Sequence, residues 1–197
     1  MNRIIRILAV LAASLVLLTG CDILQSVLGG GGGGSGTYTF NSLPQNLDEL
    51  KARPEANMKD PYGVAALTLA ALCRYETSPE DCFEMLDWLK GPEDLSNYEK
   101  QFIRDRLTGK TYKPRSYFKG ATPDNNYTPS KPIRFVPTSN PYTFQNEGWA
   151  TIYVTSGGAD NPRTIKLRKK ASTGEWFLNE IQCLSDIRTP AADDPWY

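Results

Sequence analysis

The sequence predicts an α+β domain in which three N-terminal helices pack on one face of a C-terminal antiparallel sheet, a meander. In the first half, three segments begin with helix N-cap residues and continue with apolar residues at helical spacing. From Trp149 onward, apolar and polar residues alternate with a period of two, as in half-buried strands. Hydrophobic residues make up 40% of the chain and aromatic residues 11%, enough for a single core in residues 37–197.

The first predicted helix lies at the centre of this core. Asp60 followed by Pro61 provides an N-cap and a proline at the first helical position. The segment from Val64 to Tyr75 that follows is apolar nearly all round. Because a helix without a polar face belongs in the interior, we expect the other elements to surround this one.

The second helix repeats this start at Ser78-Pro79 and ends at Gly91. It is amphipathic, with one apolar stripe formed by Phe83, Leu86 and Leu89. Its acidic residues fall mostly in the first turn, where the helix dipole favours negative charge.

The third helix begins with the pattern of a capping box, Ser96 and Glu99, and ends at Gly109. The residues expected to face inward are Tyr98, Phe102, Ile103 and Leu107. We interpret all three helices as packing elements.

A proline-rich stretch, residues 111–141, connects the helices to the sheet. Its six prolines argue against a regular helix or a central strand, so turns and extended segments are expected. Its aromatic residues, Tyr112, Tyr117, Phe118 and Tyr127, are expected to pack onto the domain. A functional loop is the alternative, because loops of this length are often functional.

The meander is predicted to consist of residues 149–155, 163–170 and 175–183. A four-residue second turn sets the register, with Arg168 opposite Phe177 and Leu167 opposite Leu178. The same register brings Lys170 beside Glu175 as an ion pair.

This register divides the sheet into two faces. The core face gathers Ile152, Val154, Ile165, Leu167, Trp176 and Leu178. The opposite face gathers the candidate ligand-binding residues Trp149, Tyr153, Lys166, Arg168 and Phe177. Aromatic rings beside cationic donors suit the binding of sugars or anionic polymers. The alternative is that the chain itself covers these rings while the cations reach water.

The N-terminus predicts an exported, lipid-anchored protein. Two arginines precede an apolar run that is too short to span a bilayer. The residues Leu18, Thr19, Gly20 and Cys21 resemble the lipobox of prokaryotic membrane lipoproteins. That resemblance implies removal of residues 1–20 and lipidation of Cys21, which would hold the protein at the extracytoplasmic side of a membrane. A free cysteine that ends an ordinary secretory signal is the alternative.

Residues 21–36 are expected to form a flexible, glycine-rich tether between the lipid and the domain. Beyond Cys21 there are three cysteines, Cys73, Cys82 and Cys183. In an oxidising compartment, the short connection between the first two helices favours a Cys73–Cys82 disulfide. A catalytic thiol is the competing interpretation, and a producer that lacks oxygen would leave the thiols reduced.

Composition excludes several function classes. The chain has no histidine, which removes Ser-His-Asp and Cys-His catalysis and the usual zinc sites. Loss of residues 1–20 removes two arginines and no acid, leaving 20 Lys and Arg against 22 Asp and Glu, a net charge of −2. This charge argues against nucleic acid as a partner. We predict no metal site and no cofactor.

Residues 164–170, 174–178 and 193–196 resemble the C-terminal part of an uncharacterised family of exported bacterial proteins, and residues 60–62 resemble its N-terminal part. This resemblance covers most of residues 60–197 and implies no activity. Residues 163–178 are also similar to the last strands of NTF2-like proteins, which implies helices followed by a meander. The acid-base residues of NTF2-like enzymes have no counterparts here.

The sequence therefore predicts a non-enzymatic envelope lipoprotein. Its expected partners are the membrane, through the lipid, and a glycan, an anionic polymer or a protein. The alternative is a carboxylate-based hydrolase of envelope glycans, which needs two acids and no histidine. Glu147 and Asp160 are possible acids, but no spacing identifies a catalytic pair, and no catalytic residue is assigned.

Overall fold

The computed structural model describes residues 36–138 and 140–196, which belong to one compact unit. Within these residues the fold is α+β, as predicted, with five α-helices and two antiparallel sheets. The helices are α1 (Leu47–Lys51), α2 (Pro61–Arg74), α3 (Pro79–Lys90), α4 (Asn97–Leu107) and α5 (Tyr112–Arg115). The strands are β1 (Tyr38–Phe40), β2 (Ile133–Phe135), β3 (Trp149–Val154), β4 (Arg163–Lys170) and β5 (Glu175–Gln182).

The three predicted helices begin at the predicted caps. Asp60 accepts a hydrogen bond from the Tyr62 backbone N–H at 3.0 Å, and Ser78 caps α3 in the same way. Ser96 and Glu99 form both hydrogen bonds of a capping box at the start of α4. These caps pair backbone N–H groups that have no partner inside the helix.

Helix α2 is the centre of the core. Every residue from Pro61 to Leu72 is buried. The helix contacts α3, α5, β3 and β5, so helices and sheet meet on it. The apolar composition of α2 on all sides is therefore explained by its central position.

Tyr98 does not face inward, contrary to the prediction. Its side chain is 80% exposed, whereas Ile103 and Leu107 are buried. At 100° per residue, position 98 lies 140° around the helix from Ile103. The predicted apolar stripe was therefore one residue too long.

The proline-rich segment is more ordered than predicted. It contains α5 and β2, and β2 pairs with β1 to form the two-stranded sheet. Tyr117, Phe118 and Tyr127 are buried, so this part of the segment packs onto the domain as expected. The Tyr117 hydroxyl donates to the Cys183 carbonyl oxygen at 2.5 Å, which joins the segment to the end of β5.

The second sheet has the order β3-β4-β5 and the predicted register at its β4–β5 turn. Arg168 lies opposite Phe177, and Leu167 lies opposite Leu178. Beyond this pair the register shifts, so that Lys166 lies opposite Glu180 and Asn179 is an extra residue in β5. Asn179 thus forms a β-bulge, which was not predicted from the sequence.

The structure holds Cys73, Cys82 and Cys183 as free thiols, so it does not contain the predicted Cys73–Cys82 disulfide. Burial raises the pKa of Cys82 and of Cys183 to about 12, and it also raises the pKa of Cys73. Because thiol–disulfide exchange needs the thiolate, buried thiols of this kind react slowly.

Residues 1–35 lie outside the described part of the chain, and with them the predicted signal peptide, Cys21 and most of the tether. Among residues 36–138 and 140–196, no helix combines the length and the apolar character needed to cross a membrane.

Candidate functional site

Three of the predicted ligand-binding residues form a row across the second sheet. Trp149 on β3 lies opposite Arg168 on β4, and Arg168 lies opposite Phe177 on β5. The alternate residues Ala150, Leu167 and Leu178 are buried. Because side chains alternate along a strand, the row occupies the face that points away from α2.

Arg168 packs against Trp149 within this row. Its guanidinium carbon lies 5.3 Å from the centre of the Trp149 ring, a cation–π distance. Trp149 is 38% exposed, and Arg168 is also exposed. Stacking on a ring does not consume the N–H donors of a guanidinium, so these donors remain available to an anionic ligand.

Phe177 is partly covered by the chain, as the alternative interpretation expected. The turn after α3 places Gly91 directly against the ring, and a Cβ atom at Gly91 would lie 2.3 Å from Phe177 Cδ1. The ring is half-buried and packs against the core. Phe177 therefore forms part of the wall of a cleft and is not a free platform.

Lys166 and Tyr153 lie apart from this row. The bulge at Asn179 places Glu180 opposite Lys166, and the two side chains form an ion pair at 2.9 Å. The hydrogen bond from Lys166 lowers the pKa of the Glu180 carboxyl, so both groups are charged and satisfied. Tyr153 is four residues along β3 from Trp149, about 13 Å away at the usual rise of a strand.

A cleft of about 360 Å³ lies between the turn after α3 and the end of β4. Its cationic lining residues are Lys90, Arg168, Lys169 and Lys170, and its acidic one is Glu93. We call this the basic cleft. Lys90 is paired with Glu99 at 2.5 Å. Within the described part of the chain, Arg168, Lys169 and Lys170 form no ion pair, and the expected Lys170–Glu175 pair is not made.

A second, shallower depression of about 420 Å³ adjoins the basic cleft, since Lys169 and Ala171 line both. Its aromatic lining residues are Phe144, Trp149 and Trp176. We call it the aromatic basin. Phe144 is 47% exposed, and its ring centre lies 6.1 Å from that of Trp176. Cations and exposed rings therefore share one end of the sheet.

Three residues of these two depressions were not predicted as site residues: Lys169, Lys170 and Phe144. Strand alternation assigns Lys169 to the core face, opposite the buried Trp176, but Lys169 is exposed and its ammonium group lies over the Trp176 ring. The run Arg168-Lys169-Lys170 was the available signal, because three adjacent cations cannot all be buried. Phe144 lies in a loop before β3, where no sequence pattern indicates a site residue.

Two acids share a groove beside the sheet. Glu99 and Glu180 line a groove of about 170 Å³ between α4 and β5. Burial acts to raise the pKa of Glu99, but hydrogen bonds from Lys90 and Ser96 outweigh it and lower the pKa. Since the pKa of Glu180 is lowered as well, neither carboxyl is suited to act as the protonated general acid.

The two acids named from the sequence are also separated. Glu147 precedes β3 and Asp160 follows it, so they lie beyond opposite ends of a six-residue strand. Asp160 pairs with Arg188. In residues 36–138 and 140–196 no group of three or more cysteine or acidic side chains could hold a metal ion.

Comparison with known proteins identifies a family. The model of a family described as "Domain of unknown function (DUF6935)" matches residues 42–191. This range contains α1 to α5, β2 to β5 and both the basic cleft and the aromatic basin. No curated protein and no solved structure matches the chain.

Proposed function

The chain belongs to the DUF6935 family, and we propose that it is an exported, lipid-anchored and non-enzymatic protein that binds an anionic polymer of the cell envelope in the basic cleft. The proposal combines the lipobox at Cys21 with the chemistry of one end of the sheet. It applies to residues 37–197 as the binding domain.

One observation carries the choice of ligand. Arg168, Lys169 and Lys170 are exposed beside a cleft and form no ion pair in the described part of the chain. Lys119 and Lys131 are also exposed and form no ion pair among the described residues, but they do not line this cleft. A cluster of unneutralised cations attracts anions, and a polymer presents many anionic groups at once.

The ionisation of the acids favours binding over catalysis. A glycosidase of the predicted alternative type needs one protonated carboxyl group beside a charged one. Glu99 and Glu180 are both held in the charged form by lysines. The hydrolase is therefore the weaker proposal.

Reversing the charge of the basic cleft tests the proposal. We expect full-length Lys169→Glu/Lys170→Glu protein to bind polygalacturonate and polyphosphate about tenfold more weakly or worse, because about 1.4 kcal/mol of Coulomb attraction is lost. Binding of the unmodified protein should also weaken as salt rises, since salt screens exposed charges. Both are measured by titration calorimetry at several salt concentrations.

The matched control is Lys119→Glu/Lys131→Glu. Both lysines are exposed, lie between α5 and β2, and give the same change in net charge. The control should bind like the unmodified protein. Equal losses of affinity in the two variants would mean that only the net charge of the protein matters, which would contradict a specific site. The absence of any polyanion binding by folded protein would overturn the proposal in favour of a protein partner.

The anchor is tested separately at Cys21. We expect the unmodified protein to sediment with membranes and a Cys21→Ser variant to be released, because acyl chains supply most of the membrane affinity of such proteins. Labelled palmitate should appear in the unmodified protein alone. A Cys21→Ser variant that remains with the membranes would contradict lipid anchoring.

A further inference from the structure

The rings of the aromatic basin are held in place. Phe144 contacts Tyr62 edge-on at 6.1 Å between ring centres, and it contacts Trp176 at the same distance. Trp176 is only 8% exposed, so it fixes Phe144 from the core side. Arg168 stacks on Trp149. Rings that are already fixed lose little conformational freedom when a ligand packs on them.

Phe144 and Trp149 nevertheless remain exposed, at 47% and 38%. Large apolar side chains of this size are usually buried by their own chain. Three other lining residues of the basin are small, which leaves space for a ligand: Gly148, Ala171 and Gly174. A volume of about 420 Å³ falls in the range of small-ligand sites.

The basin also has polar lining residues. The side-chain oxygens of Asn146 and Glu147 can accept hydrogen bonds from hydroxyl groups. Lys169 lines the basin and the basic cleft together, and its ammonium group lies 5.6 Å from the centre of the Trp176 ring. A ligand here would meet an aromatic surface, acceptors for hydroxyls and one shared cation.

We propose that the aromatic basin binds a sugar ring of an acidic polysaccharide. The apolar face of the ring packs on Phe144, its hydroxyls donate to Asn146 and Glu147, and its carboxylate or sulfate points to Lys169 and the basic cleft. Glu147 repels an anionic group and Lys169 attracts it, so the carboxylate or sulfate lies nearer to Lys169. This inference rests on the proposed function and specifies its ligand: an anionic polymer built from sugar rings, as distinct from one without them.

The test compares two polyanions with one aromatic variant. Full-length unmodified protein, Phe144→Ala and Tyr142→Ala are titrated with polygalacturonate and with polyphosphate. Tyr142 is the matched control because it is 61% exposed in the same loop and does not line the basin. We expect Phe144→Ala to weaken polygalacturonate binding about tenfold, the usual scale for loss of an aromatic anchor, and to leave polyphosphate binding unchanged. Tyr142→Ala should change neither.

A second variant guards against a folding defect. Phe144→Leu keeps an apolar side chain against Tyr62 and Trp176 but removes the flat ring, so it should also weaken polygalacturonate binding alone while retaining the melting temperature of the unmodified protein within a few degrees. If both Phe144 variants bind both polymers as the unmodified protein does, the sugar site is overturned while the basic cleft stands. If the Lys169→Glu/Lys170→Glu protein also binds both polymers normally, the proposed function is overturned together with the sugar site.

Discussion

Replacing Gly157 by alanine is expected to destabilise the domain by about 3 kcal/mol or more, the range of severe steric substitutions. A Cβ atom at Gly157 would lie 1.9 Å from the Ala121 carbonyl oxygen and 3.1 Å from its carbonyl carbon. These are backbone atoms, so no side-chain rotation can relieve the overlap. The loop between β3 and β4 would have to move away and break the hydrogen bond from Gly157 N–H to the Ser116 carbonyl oxygen, now 2.9 Å.

The control for this prediction is Gly109→Ala. Gly109 has a φ of +68° and nothing within 4 Å of its Cβ position. Alanine at this position should lower the free energy of unfolding by about 1 kcal/mol, because residues with a Cβ atom disfavour positive φ. Urea unfolding of the three proteins measures both effects. A Gly157→Ala protein as stable as Gly109→Ala would show that residues 116–122 are not held against this loop.

The contrast between the two glycines shows what a sequence can predict. Gly157 and Gly158 lie between the predicted strands 149–155 and 163–170, and the structure confirms that this segment connects β3 to β4. The structure adds a second requirement for glycine here, because the proline-rich segment passes directly against this turn. That requirement arises from contacts between residues about 36 positions apart in the chain. Local patterns carry no information about such approaches, whereas caps and short turns are local and were predicted correctly.

The small sheet was missed for a similar reason. Strands β1 and β2 have three residues each, and they pair across most of the helical half of the chain. Three residues are too few to establish a period of two. The β4–β5 register could be predicted because a four-residue turn fixes it, and its confirmed pairs are all close to that turn.

The candidate site was predicted in part, and the bulge explains most of the difference. Regular alternation would leave Lys166 opposite Asn179 and available to a ligand. The extra residue brings Glu180 there and neutralises Lys166. Hence the cationic surface is confined to the end of β4, where Lys169 and Lys170 join Arg168. The spacing of three between Leu178 and Ile181 was the only sign of this shift in the sequence.

Gly91→Ala is expected to be the next most damaging change, at about 2–4 kcal/mol, and to damage the basic cleft as well. Two costs combine. The backbone of Gly91 has φ +78° and ψ −114°, a region that residues with a Cβ atom rarely enter. The new Cβ atom would also lie 2.3 Å from Phe177 Cδ1 and 2.9 Å from Phe177 Cγ, close to the root of the side chain. The ring, which lines the cleft, would have to be displaced.

A double-mutant cycle with Phe177→Ala separates these costs. Removing the Phe177 ring removes the steric overlap but leaves the backbone strain at residue 91. In the Phe177→Ala protein, Gly91→Ala should therefore lower the free energy of unfolding by about 1–3 kcal/mol, less than in the unmodified protein. The free energies of unfolding of the four proteins give the coupling. Polyanion binding by the Gly91→Ala protein should weaken as far as it does in Phe177→Ala, because both lose the same wall of the cleft. Equal costs of Gly91→Ala in both backgrounds would mean that Gly91 is required only for its backbone conformation, and that the ring of Phe177 is free to move aside.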